Sequence, residues 1–163
     1  EAIGTLYCSL ERPNLAVLHY ERLGAKWDGA RALALFQAGR DEEAARLLER
    51  TLPAGAELIR LPREHRSPWL LASLSLIAPG LGQLALGRPG DALSAFLLAG
   101  GLDASGLYYF QRGNPAWGSY YLLLGGNFHG GAAYGAAVEA KRFNRKAREA
   151  RWQQLRALQG APR

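Results

Sequence analysis

Apolar positions recur at helical spacing through the first third of the chain. Ala30 to Phe36 forms one stripe, Gly39-Arg40-Asp41 interrupts it, and Glu42 to Leu52 resumes it before Pro53. Beyond residue 66 the stripes give way to continuous apolar runs. Ser67-Pro68 opens Trp69–Leu86, Asp91 opens Ala92–Gln111, and Asn114-Pro115 opens Ala116–Glu139. Ser, Asp and Asn accept hydrogen bonds from first-turn amides, and proline at the first helical position forfeits only an amide that has no intrahelical partner. The runs are 18, 20 and 24 residues long. A bilayer core takes roughly 20 residues of helix, so the pattern predicts membrane-spanning helices. A glycine-rich hairpin buried inside a larger soluble fold is the alternative.

The first third also carries a weak internal repeat. Ala16 to Arg22 aligns with Ala44 to Arg50 at an offset of 28 residues, each copy following a turn signal. Leu33 to Ala44 resembles the middle of a tetratricopeptide repeat, in which a glycine ends one helix and a small alanine lets the next pack closely. The offset is shorter than that family's usual spacing of about 34 residues. Residues 1–66 are expected to form a helical-hairpin module. Stacked modules of this kind bind other proteins and contribute no chemistry of their own.

Charge sharpens the division. The net charge of +6 is spread unevenly over the 163 residues. Residues 1–66 hold ten basic and ten acidic side chains, whereas residues 67–139 hold only Arg88, Asp91, Asp103, Arg112 and Glu139. The basic excess therefore lies in residues 140–163. The expected organisation is a tetratricopeptide-like module (1–66), a hydrophobic transmembrane region (67–139) and a basic juxtamembrane tail (140–163), all α-helical. One cysteine, Cys8, excludes an intramolecular disulfide framework. With no methionine in the chain, the expectation is that residues before Glu1 were cleaved or that Glu1 is a fragment boundary.

Within 67–139 the placement of aromatics and glycines favours the membrane reading. Trp69 starts the first run, Tyr108, Tyr109 and Phe110 end the second, and Trp117, Tyr120 and Tyr121 open the third. Aromatic rings at helix ends suit the headgroup layer. The short turn from Gln111 to Asn114 predicts an antiparallel hairpin with an aromatic tip. Fourteen of the twenty glycines lie here. Gly126 with Gly130, and Gly131 with Gly135, form small-xxx-small pairs of the kind that let helices pack closely in lipid.

The first run is broken by Pro79-Gly80, with Gly82 and Gln83 just beyond. Proline removes an intrahelical bond and kinks or ends a helix, so this run is expected to be a kinked span or a re-entrant segment with Gln83 satisfying freed backbone groups. Pro79-Gly80-Leu81-Gly82-Gln83-Leu84, with Gly87-Arg88, resembles the P-G-x-G-Q-x-Y-x-G signature of small bacterial inner-membrane proteins. Some of these follow tetratricopeptide-like repeats and end in a basic segment, here Asn144-Arg145-Lys146. Ala85 stands where that pattern usually has tyrosine. The resemblance implies location and architecture, with no activity attached.

Candidate chemistry is sparse. Gly80-x-Gly82-x-x-Ala85 mimics a dinucleotide fingerprint, but Arg88-Pro89-Gly90 stops any helix after about one turn and no strands surround it. Asp103, Asn127 and His129 are the polar residues expected deep in the bundle. Counted from the hairpin tip at about 1.5 Å per residue, Asn127 is the better partner for Asp103. A satisfied contact fixing helix register is favoured over a proton or ligand site. His19, His65 and His129 lack partners at metal-ligand spacing. No catalytic set, metal site or cofactor is expected, and the chain is read as a non-enzyme.

Lys141, Arg142, Arg145, Lys146 and Arg148 are expected to contact anionic lipid headgroups or an acidic partner, nucleic acid being unfavoured. This places the C-terminus in the cytoplasm. Three spans would put residues 1–66 in the periplasm of a bacterial inner membrane. Two spans plus a re-entrant segment would keep them inside, which the charge distribution prefers. The reading taken is three spans: an accessory membrane subunit binding a partner through its helical module and packing against other membrane subunits. A small transporter or channel component using Asp103 and the Pro79–Gln83 break is the alternative.

Overall fold

The computed structural model describes residues 2–10 and 12–160, and the Cys8 side chain lies outside what is described. Among the described residues every regular element is helical. The chain divides into two compact units, one of residues 1–63 and 146–163, the other of residues 64–145.

The first unit contains α1 (Ala2–Ser9), α2 (Pro13–Leu23), a 3-10 turn (Ala25–Trp27), α3 (Asp28–Gln37), α4 (Asp41–Thr51) and α5 (Pro53–Arg60). Each of these α-helices packs on the one before it. The turn between α3 and α4 is built on Gly39, whose φ of 86° is left-handed, with Arg40 N donating to Leu35 O at 3.0 Å. A glycine stop of this kind satisfies the last carbonyls of the outgoing helix. Asp41, Glu42 and Glu43 then start α4, where carboxylates favour the positive end of the helix dipole. Ala44 and Ala45 are fully buried, so α4 approaches its neighbours closely. Phe36 and Leu48 anchor this core together with Leu155, which comes from the last helix, α9 (Pro115–Gly160). Residues 146–160 therefore belong to the first unit and supply Leu155 to its core, although the sequence places 140–163 apart as a tail.

The second unit contains α6 (Pro68–Ile77), α7 (Leu81–Ala85), α8 (Pro89–Gln111) and the first part of α9. Proline occupies the first position of α6, α8 and α9. Ser67 Oγ accepts from Leu70 N at 3.4 Å, and Asn114 Oδ1 accepts from Trp117 N at 3.4 Å. Gly113, with φ 73°, turns the chain between α8 and α9. Tyr109 stacks on Tyr121 at 5.4 Å between centroids, and Trp117 lies 6.2 Å from Tyr121. The aromatics expected to line a headgroup layer thus pack on one another at the hairpin tip.

The membrane reading is corrected here. Among the described residues no helix is long and apolar enough to cross a membrane. The break at Pro79 leaves α6 with 10 residues and α7 with 5. At about 1.5 Å per residue, α6 reaches only about half of a hydrocarbon core of roughly 30 Å. The 23 residues of α8 suffice in length, but two aspartates, two serines, two tyrosines and four glycines dilute its apolar content. The opening half of α9 is diluted in the same way by glycines, Ser119, Asn127 and His129. The transmembrane region, the span count, the juxtamembrane role of the tail and the inner-membrane location all fall with this finding.

Candidate functional site

The Pro79–Gln83 break is a buried junction. Gly80 adopts φ 92°, and a β-carbon there would overlap the Ala92 carbonyl oxygen of α8. A β-carbon on Gly82 would collide with the Leu71 carbonyl oxygen and come within 2.7 Å of Ala136 Cβ. Both glycines therefore permit backbone approaches that no side chain allows. Ser75, not anticipated from sequence, is fully buried. It donates through Oγ to Gln83 Oε1 at 3.0 Å and accepts from Gly82 N at 3.0 Å. Gln83 Nε2 in turn donates to Ala132 O at 2.9 Å. Every polar atom named here has a partner, as a buried network requires.

A second junction lies where α6, α8 and α9 meet. His129 Nε2 is 2.8 Å from Asp103 Oδ2, and its Nδ1 is 3.3 Å from Leu76 O. Asn127, expected to partner Asp103, instead donates to Leu123 O of its own helix at 2.9 Å. Counting residues from the tip assumes level helices and equal side-chain reach, and the longer imidazole covers the offset. Gly125 completes the site: a β-carbon there would strike the Asp103 carboxylate. Each of the five charges in residues 67–139 has a partner. Arg88 pairs with Asp91 at 2.6 Å and Glu139 at 3.1 Å, and Arg112 lies over the Tyr108 ring.

The four glycines singled out for helix packing behave differently. A β-carbon on Gly126, Gly130 or Gly131 would meet nothing within 4 Å, and one on Gly135 only Gln83 Nε2 at 3.7 Å. Besides Gly80, Gly82 and Gly125, the glycines in close contact inside the unit are Gly106 against Leu122 and Gly118 against Phe110. Gly131 lines an apolar cavity of about 330 Å³ with Ala95, Asn127, Phe128 and Ala132. Another, of about 260 Å³, lies between Pro79, Leu84, Pro89 and Phe96.

The chain matches no protein-family model, no curated protein and no solved structure. Its geometry must speak for it. Among the described residues, no group of three or more His, Cys, Asp or Glu side chains is placed to hold a metal ion.

The basic residues of α9 divide into two sets. Arg148 donates to Asp41 Oδ1 at 3.0 Å and to the Phe36 carbonyl. Arg63 binds the other oxygen of Asp41, and both guanidiniums lie over the Phe36 ring. Arg151 donates to Leu61 O at 2.8 Å. Burial pulls all three arginines below their ordinary pKa, and Arg63 is lowered further by the charges of Arg148 and Arg151. Lys141, Arg142, Arg145 and Lys146 are exposed, with Arg142 bonded to Glu139 at 2.7 Å.

Proposed function

We propose that this chain is a non-enzymatic subunit of a protein assembly, taking a partner protein against the apolar surface of its second unit. One observation carries the reading: burial in that unit is inverted. Its buried hydrophobic residues are Leu71 and five alanines, Ala92, Ala99, Ala133, Ala136 and Ala140. The large side chains face outward, with Trp69 85%, Ile77 79%, Tyr134 74% and Leu123 71% exposed. Exposed apolar surface on this scale marks an interaction site. The open glycines Gly126, Gly130 and Gly131, beside the 330 Å³ cavity, let a partner's side chains approach the α9 backbone.

The first unit is assigned a second contact. A groove of about 430 Å³ runs beside α3 and α4, lined by Arg31, Arg46 and Arg50 and by Asp28, Glu43 and Glu49 around Leu35 and Leu47. Alternating charge around an apolar floor suits a protein segment, whose register such charges would fix. The exposed Lys141, Arg142, Arg145 and Lys146 favour an acidic partner surface.

Site-specific photo-crosslinking in cells tests the proposal. A photoreactive residue at Leu123 or Phe128 should give one discrete protein adduct, and the same residue at exposed Glu64 should give none. Adducts to lipid alone, or the same adducts from all three positions, would contradict it.

A further inference from the structure

We propose that His129 is a protonation-dependent clip that holds the broken end of α6 to α8 and α9. The ring lies between two acceptors, Asp103 Oδ2 at 2.8 Å and Leu76 O at 3.3 Å. An imidazolium has a proton on each nitrogen and donates to both. A neutral imidazole has one proton, so its other nitrogen turns a lone pair towards an oxygen. Only the charged ring can therefore donate to both oxygens at once. Leu76 lies in the last turn of α6, where carbonyls lack intrahelical partners. Pro79, three residues on, ends the helix and leaves that carbonyl available to His129. A cation at this position also complements the negative end of the helix dipole.

The charged surroundings are simple. Asp103 is the one ionisable group facing the ring from α8; α6 and α7 carry none, and the nearest on α9 are Tyr134, Tyr121 and Tyr120. Gly125 leaves the room in which the Asp103 carboxylate sits. A ring that gives up one proton keeps only one of its two hydrogen bonds, so the hold on the end of α6 weakens when that proton is lost. Loss of the clip frees the α6 end beside Pro79–Gln83, one wall of the surface assigned to a partner. The proposal does not depend on that partner, because its test uses the isolated chain.

Hydrogen exchange of the peptide covering residues 68–77 reads the clip directly. It would be followed from about pH 5.5 to 8.5, corrected for intrinsic rates, in wild type and in His129→Gln. Expected is protection that falls several-fold more with rising pH in wild type than in His129→Gln. Superimposable pH dependences would overturn the proposal. If His129→Gln does not fold, the nitrogen shifts of the lone imidazole in a His19→Gln/His65→Gln chain replace it. Loss of one ring proton that coincides with loss of protection in residues 68–77 supports the clip, and protection that does not follow the ring proton, or one bare nitrogen throughout, overturns it.

Discussion

Alanine at position 82 and alanine at position 126 should move stability in opposite directions. At Gly82 the new β-carbon overlaps the Leu71 carbonyl and lies 2.7 Å from Ala136 Cβ, and overpacking of this kind costs about 1–3 kcal/mol. At Gly126 it meets nothing within 4 Å, and replacing an interior helical glycine gains up to about 1 kcal/mol. Denaturant unfolding of the two variants checks both signs. Composition shows that glycine is abundant between residues 67 and 139, but cannot sort these positions. That depends on which backbone faces another helix. The same limit hid Ser75, an ordinary helical serine in sequence that becomes the hub of the Gln83 network once Pro79 folds the chain back. Asp103 and His129 were legible as isolated polar residues in an apolar block. Their pairing was not, because it turns on the stagger of two helices.

Helix boundaries were the most legible features, because proline and glycine act locally. Pro68, Pro115, Gly39 and the Pro79-Gly80 break stand where the pattern puts them, whereas α8 begins at Pro89, three residues before the expected Ala92, so that Asp91 lies in its first turn and does not cap it. The basic C-terminal segment was less legible, since a run of arginines reads the same whether solvated or pinned. In the structure Arg148 is pinned to Asp41 and Phe36, while Arg142 bonds only to Glu139, one turn away. Arg148→Met should therefore lower stability by about 1–2 kcal/mol, the range for a partly exposed, charge-assisted hydrogen bond. Arg142→Met should change it by less than about 0.5 kcal/mol. Equilibrium unfolding of the two variants side by side separates the roles.

At the scale of the whole molecule, the first unit is completed by the end of the chain. Leu155 is fully buried, with Trp152 packed beside it, in a core whose other residues come from the segment 1–63. Ending the chain after Arg145 removes Leu155, Arg148 and Arg151 together, and should make residues 1–63 unfold at lower temperature and succumb sooner to protease. The second unit is where sequence and structure part. Three apolar runs looked like spans because length is easily read from sequence, whereas density of apolar side chains is diluted residue by residue. What remains is a helical unit with alanines inside and large side chains outside. Light scattering on the natively purified chain, coupled to identification of whatever travels with it, tests the meaning of that inversion most directly. Expected is a complex heavier than the 17.7 kDa monomer with a distinct second protein in fixed ratio, which Leu123→Glu reduces to monomer without lowering the unfolding midpoint. A 17.7 kDa monomer travelling alone, or one accompanied only by lipid, would contradict it.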